Sequence, residues 1–348
     1  MHLLEEYTTA VKDAGAALGK PIHVIAESDL CDPRLIRSPE AGGYGMDAQW
    51  LDDFHHAVHV ALTGERDGYY VDHHGVEDLP TILRDRYLHA GRYSEHRRRT
   101  VGRPARDVRY DRFVVCVQNH DQVGNRMLGE RLTSLTDRDG LAVAATLLLT
   151  SPSVPMLWMG EEYAEPAPFR YFVSHTDPDL IDAVRRGRRE EFAAFAWQGE
   201  APDPQAEETF RDSTIDLDLA HDGGDHQEMF SLYRELLALR RCLPVLHDPS
   251  GGEVAATLVP GRQAVALHRR GPFGEVIVAA NADDQAVEVV LPTAAGDWVE
   301  RFTTAGRHHG GEDPAGAARS DGAVMAIPLT RRSARVFVRT GTTKRLPT

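Results

Sequence analysis

Cysteine is scarce in this sequence. Cys31, Cys116 and Cys242 are the only three among 348 residues, and none stands at a spacing used by metal sites or a disulfide scaffold. Buried thiols in a reducing, cytoplasmic compartment account for them. No apolar run reaches the length of a membrane span, and the opening MHLLEEYTTAVKDAG carries charge where a secretory signal would be apolar. Positive charge is in deficit as well. Lys and Arg number 39 against 53 Asp and Glu, a net charge of -14, which speaks against nucleic acid or an anionic membrane as the main partner. A neutral ligand such as a sugar meets no such repulsion. The sequence has no Gly-rich phosphate loop, no cofactor fingerprint and no internal repeat, so no cofactor is expected.

What is present is a chain long enough for roughly two domains, with ample apolar residues for their cores. Leu3, Leu4, Tyr7, Val11, Ala14 and Leu18 recur at three- and four-residue spacing, which predicts an amphipathic helix over 3–18, stopped by Gly19 and Pro21. The run Ile22-His23-Val24-Ile25-Ala26 then resembles a buried parallel strand and ends at Glu27. The event recurs along the chain. Ala48-Gln49-Trp50 leads into Asp52, Asp53 and a helix through Leu62, and Phe113 to Val117 leads into Gln118-Asn119-His120-Asp121. Val154 to Met159 leads into Gly160-Glu161-Glu162, and a helical pattern covers Leu141 to Leu149. Such alternation predicts a parallel sheet with right-handed crossovers, and polar residues collect where each strand stops, as in α/β barrels. Four strands do not close an eight-stranded barrel.

After about residue 190 the texture changes. A polar connection with Pro202 and Pro204 leads to a helix over 227–242, followed from 252 by β-like runs at 264–268, 276–280, 286–291, 298–302, 324–327 and 334–338. Their alternation predicts a small antiparallel sandwich, with 306–322 as a loop. The expected division is residues 1–245 for the α/β part and 250–348 for the sandwich.

Retaining glycoside cleavage needs one protonated carboxyl group for the leaving oxygen and one carboxylate as nucleophile, about 5–5.5 Å apart. Glu27 suits the acid by position, since the end of a buried strand would partly desolvate it and raise its pKa. Asp121 ends another strand beside His120, a residue suited to holding sugar hydroxyls. A lone strand-end Glu can equally cap a helix or join a loop ion pair; two carboxylates on separate strand ends favour chemistry. Trp50 offers either a stacking face or core volume. His55 and His59 stand at i, i+4, an arrangement zinc sites use, but the Glu of the metalloprotease motif is missing and no third ligand is evident. No metal is expected, and these residues read as groove-lining. His73-His74 reads as a loop, and Arg97-Arg98-Arg99 as a solvated surface.

Longer strings carry more. Gln118-Asn119-His120-Asp121-Gln122 resembles the Asn-His-Asp signature at the end of the seventh strand in the α-amylase superfamily of glycoside hydrolases, and HVIAESD at 23–29 resembles its fifth-strand acid motif. Taken in order, IAESDLCDPRL, GGYGMDAQWLDDFHHAVHVALTGERDGYY, QNHDQVGNR and PMLWMGEEYAEPAPFRYF resemble the maltooligosyltrehalose trehalohydrolase family over residues 1–240. The resemblance implies an α/β fold, the second half of a TIM (β/α)8 barrel followed by a C-terminal antiparallel β-sandwich. It implies hydrolysis of the α-1,4 bond next to the trehalose end of maltooligosyltrehalose or a related α-glucan. Glu27 becomes the general acid/base and Asp121 the transition-state stabiliser. His120 would bond the sugar at the cleavage subsite, with Gln122 and Asn125 on the same loop. Asp52, Asp53, Phe54, His55 and His56 would line the groove beside Trp50.

One departure is large. That family keeps its nucleophilic Asp, with a nearby Arg, at the end of the fourth strand, ahead of the helix that opens here. Asp13, the one Asp upstream of Glu27, lies within the first helix. The resemblance therefore implies that strands one to four are absent, and that the chain alone is inactive and prone to aggregate. A separate chain carrying the other barrel half, or a start further upstream, would restore activity. A glycogen-branching or debranching relative would share the acid and the Asn-His-Asp loop, and a non-catalytic α-glucan-binding protein would keep the groove. The strings around Glu27 and Asp53 favour the trehalose-releasing reading.

Overall fold

The computed structural model describes residues 2–194, 201–248, 252–293, 296–305, 318–320 and 322–339. Helix α1 (Leu3–Leu18) has the expected bounds and ends at Gly19, whose φ of +62° is the left-handed conformation that glycine adopts without strain. Its apolar stripe, however, is only partly covered: Leu4 packs against the core and Val11 is half-buried, but Tyr7 is exposed. Leu3 and Leu18 are 75% and 67% exposed, while Thr8 and Gly15 are buried. Its polar side is held as well, where Lys12 reaches Gly45 O at 2.6 Å and Asp47 at 3.3 Å.

Four strands form one parallel sheet in the order β1 (Ile25–Ala26), β2 (Ala48–Trp50), β5 (Phe113–Val115), β6 (Val154–Pro155). The hairpin β3 (Arg92–Ser94) and β4 (Arg99–Val101), not expected from the sequence, stands apart from it. Every parallel strand is shorter than its apolar run. Only two residues of 22–26 enter the sheet, and Ile25 is 50% exposed, because β1 is an edge paired on one side alone. Beyond Pro155 the last run leaves the ladder, so Leu157 and Met159 are exposed. Helices α2 (Asp52–Thr63), α3 (Leu79–Asp85), α4 (His120–Gly124), α5 (Leu132–Leu135) and α6 (Arg138–Thr150) follow or connect these strands. Next come α7 (Pro178–Ala194), α8 (Glu207–Asp212), α9 (Asp225–Cys242) and α10 (Pro244–His247). No helix among the described residues is long and apolar enough to cross a membrane.

The remaining strands are antiparallel. A five-stranded sheet runs β11 (Trp298–Thr303), β14 (Ser333–Arg339), β9 (Gly274–Asn281), β8 (Ala264–Gly271), β7 (Glu253–Leu258). A three-stranded sheet runs β10 (Val287–Pro292), β13 (Val324–Leu329), β12 (Arg319–Ser320). The expected loop at 306–322 thus contains a short strand, while 306–317 and Asp321 lie outside the described residues. Alternation in β8 and β9 serves two cores. Ala264, Ala266, Ile277 and Ala279 pack against β10 and β13, while Val265, Leu267, Val276 and Val278 join the cluster shared with α6 and α9. The α6 C-terminus is closed by two arginines that satisfy its orphan carbonyls. Arg240 of α9 donates to Leu149 O and Ser151 O, and buried Arg269 of β8 donates to Thr150 O at 2.9 Å.

Candidate active site

The polar residues after the parallel strands converge on one cleft. Glu27 follows β1, Asp52 opens α2 directly after β2, and Asp121 lies in the first turn of α4 after β5. These three carboxylates line the cleft with His55, His56, Asn119, Gln122 and Asn125. Asn119 explains why the chain turns there: it caps α4, its side chain accepting the Gln122 N–H at 2.7 Å. Asp121 accepts from the Asn125 amide at 2.5 Å, and Arg188 of α7 steadies the same turn by donating to Gly124 O at 2.9 Å. Exposed His120 sits between two indoles, each ring centroid 6.0 Å away, Trp50 edge-on and Trp158 tilted.

Several expected site residues sit differently. Glu27 is exposed rather than desolvated, since edge strand β1 has no neighbour on its outer side. Phe54, expected in the groove, points the other way and is core. Adjacent positions on a helix are about 100° apart, so Asp53 and Phe54 cannot both follow Asp52 into the cleft. Asp53 is buried and bonded to backbone: its Oδ2 accepts from Leu88 N at 2.6 Å, and Oδ1 faces His89 Nδ1 at 3.3 Å. Burial pushes its carboxyl upward, but the His89 hydrogen bond and the His73 and His89 charges outweigh this and hold it below the usual range. Gln122 lines the cleft, yet its amide nitrogen is taken by Tyr70 Oη at 3.0 Å.

Behind the groove wall lies a packed group of histidines and tyrosines. His56 stacks on Tyr69 at 4.6 Å, and His59 stacks on Tyr70 at 4.3 Å. His59 also meets Glu65 at 2.7 Å, and Glu65 holds Arg126 bidentately at 2.8 and 3.0 Å. Burial raises the Glu65 carboxyl, but bonds from His59 and Arg126 win and bring it down to about 2. Burial drives His56 well below its ordinary value and His73 down to about 4, so both imidazoles are uncharged at neutral pH. His59 is therefore a packing residue and does not share a ligand set with His55.

The structure adds cleft residues that the sequence did not assign to the site. Tyr69, His96, Arg97 and Asp29 line it too. Arg97 is no solvated surface charge: it sits at the β3–β4 turn and returns to Asp29 at 2.7 Å. Its only sequence signal was position within a basic run, which is equally common on plain surfaces.

No family profile matches the chain. Curated relatives do. It is 44% identical over 283 residues to malto-oligosyltrehalose trehalohydrolase of Arthrobacter ramosus, covering 79% of this chain and 49% of the relative. The enzyme of the same name from Rhizobium sp. (strain M-11) is 45% identical, with 71% and 42% covered, and that of Saccharolobus solfataricus 46%, with 63% and 37%. This chain is a homologue of the malto-oligosyltrehalose trehalohydrolases. It spans half or less of the length of these trehalohydrolases. Among solved structures, one described as an alpha-amylase from Salmonella typhimurium has a TM-score of 0.77 and 32% identity, covering 95% of this chain and 54% of that one. An alpha-amylase from H. orenii, at 17% identity and TM-score 0.55, shares the fold over 97% of this chain and 56% of its own. The α/β sheet and following β-sandwich thus have the architecture of α-amylase-type enzymes with a C-terminal β domain.

Proposed function

We propose that this chain forms the acid-bearing half of a glycoside hydrolase that releases trehalose from maltooligosyltrehalose by cleaving the α-1,4 bond next to the trehalose end. The observation that carries it is the meeting of Glu27 and Asp121, from two strand ends, in one cleft of a trehalohydrolase homologue. Glu27 acts as general acid and then base, and Asp121 steadies the oxocarbenium-like transition state. His120, held between Trp50 and Trp158, bonds sugar hydroxyls, and Asp52, His55, His56 and Asn125 form the groove around it. Residues 1–245 act as the second half of a (β/α)8 barrel and 250–348 as its C-terminal domain, in the cytoplasm.

Glu27 faces water beside the outer edge of β1, and the reading requires a neighbour there. That neighbour also supplies the attacking carboxylate, either as upstream sequence or as a separate chain. Trehalose release from maltooligosyltrehalose, followed for this chain alone and together with the complementary portion of a curated relative, tests the reading. Activity is expected only in the pair, with Glu27→Gln lowering it by roughly three orders of magnitude or more. Hydrolysis that survives Glu27→Gln would overturn the assignment of the acid.

A further inference from the structure

Beside the cleft opens a smaller cavity of about 30 Å³, bordered by Asp53, His56, His73, His89, Tyr69 and Cys31. Such a space suits a single water or ion, since about 10–15 Å³ admits one water-sized sphere. Asp53, His56 and His73 each offer a ligand atom, and the three atoms lie within 4.8 Å of one another. We propose that the Asp53 carboxylate and the imidazoles of His56 and His73 form a binding site for a divalent transition-metal ion of the zinc class.

Three observations support the assignment. His73 is 2% exposed, yet its Nδ1 has no hydrogen-bond partner; the nearest anion, Asp78, is 3.8 Å away. Such a nitrogen carries a desolvation cost that a bound group would relieve. His56 borders the same cavity, its ring held by the stack on Tyr69 at 4.6 Å. Asp53 has spare capacity too, since Oδ2 takes the backbone donors and Oδ1 faces only His89. Two imidazoles and one carboxylate suit zinc-class ions, not calcium or magnesium, which prefer all-oxygen shells. Tetrahedral zinc places its ligand atoms about 3.4 Å apart, so side-chain movements of roughly 1 Å complete the site.

A second trio, Cys31, Asp53 and His89, also meets the distance condition. Asp53 is common to both trios, and His89 Nε2, like His73 Nδ1, has no hydrogen-bond partner, so the two differ in the thiol. The Cys31 thiol, pushed up by burial, points at Asp53 at 3.7 Å and Asp29 O at 3.6 Å, while the His89 nitrogens face Asp53 at 3.3 Å and Asp72 at 3.5 Å. Only the His73 trio avoids the thiol, whose hydrogen bonds to Asp53 and Asp29 O a metal at the other trio would have to break. A metal there ties α2 to the loop after it and fixes the His56–Tyr69 stack that walls the groove.

The full chain, stripped with a chelator and dialysed, is titrated with zinc chloride, and bound metal is counted by atomic emission. One zinc per chain is expected, with His56→Gln and His73→Gln each weakening binding on the order of tenfold or more and Cys31→Ser leaving it unchanged. Cobalt added to the unsubstituted chain should give a visible band without the near-ultraviolet absorption of a cobalt–thiolate bond, a readout that stands even where a variant does not fold. Absence of one-to-one binding, binding untouched by His73→Gln, or a thiolate band would each overturn the proposal. No sugar enters the measurement, so its failure is separate from failure of the hydrolase reading.

Discussion

Strands β8 and β9 of the five-stranded sheet contribute eight residues each and are paired on both sides, whereas β1, β2, β5 and β6 contribute two or three. Both sheets draw their buried residues largely from Val, Ile and Ala, so that feature does not separate them. Length and neighbours do. Long paired strands bury both faces and leave nothing free for chemistry. Short parallel strands stop early, and the polar residues behind each stop gather where a ligand can reach them. The same brevity leaves β1 paired with β2 alone among the described residues, so the Glu27 corner of the cleft is supported from one side.

One matched pair of substitutions would break or sharpen this contrast. Ile277→Ala in β9, fully buried between the two sheets, should destabilise the chain by about 2–5 kcal/mol in urea unfolding. Ile25→Ala in β1, half exposed, should cost about 1 kcal/mol or less in the same assay. Equal losses would mean that the edge is covered in solution. A rise in the Ile25→Ala cost on adding the complementary half would identify what covers it.

An intermediate effect is expected where the sandwich touches the groove wall. Gln263, in the β7–β8 turn, accepts the Val76 N–H at 3.0 Å and donates to His74 O at 3.2 Å. Gly75 has φ +80°, and a Cβ there would lie 2.0 Å from the Gln263 Oε1. Gly75→Ala should cost about 2 kcal/mol, read as a lowered melting temperature. An unchanged melting temperature would uncouple the sandwich from the His73–His74 loop.

The smallest effect concerns pH. Burial lifts Glu161, behind β6 and bonded to Tyr233 at 3.3 Å, to about 8. Unfolded, this carboxyl ionises near pH 4.5, so the folded state holds its proton longer. Its favourable contribution is complete below pH 4.5 and is lost as pH rises through 8. Glu161→Gln should therefore stabilise the chain at pH 8 and change little at pH 4.5. His73 opposes this trend at the acid end. Its pKa falls from 6.5 to about 4 on folding, so stability is complete above pH 6.5 and declines as pH drops toward 4. Chemical denaturation across pH 4–8 checks both signs.

Much of the fold was legible in the sequence because hydrophobic period survives folding. Helix α1 carried its bounds in its spacing and in Gly19, and six antiparallel strands fell where alternation placed them. The hairpin β3–β4 and strand β12 were not legible, since their residues are polar and owe their pairing to partners distant or local, not to a pattern. Within the site, motif order pointed to Glu27, Asp121 and Asp52, whereas Tyr69, His96 and Arg97 entered the cleft from loops that no period describes.

The sequence alone determined which residues stand where a strand stops, because apolar runs and the polar residues that end them are local features. Only the tertiary structure decided which of those residues reach the cleft. Rotation along α2 sends Asp52 to the cleft, Asp53 to the buried cavity and Phe54 to the core, and the unpaired edge of β1 leaves Glu27 in water. Exposure and hydrogen bonding depend on what surrounds a side chain, and those surroundings come from parts of the chain far away in sequence.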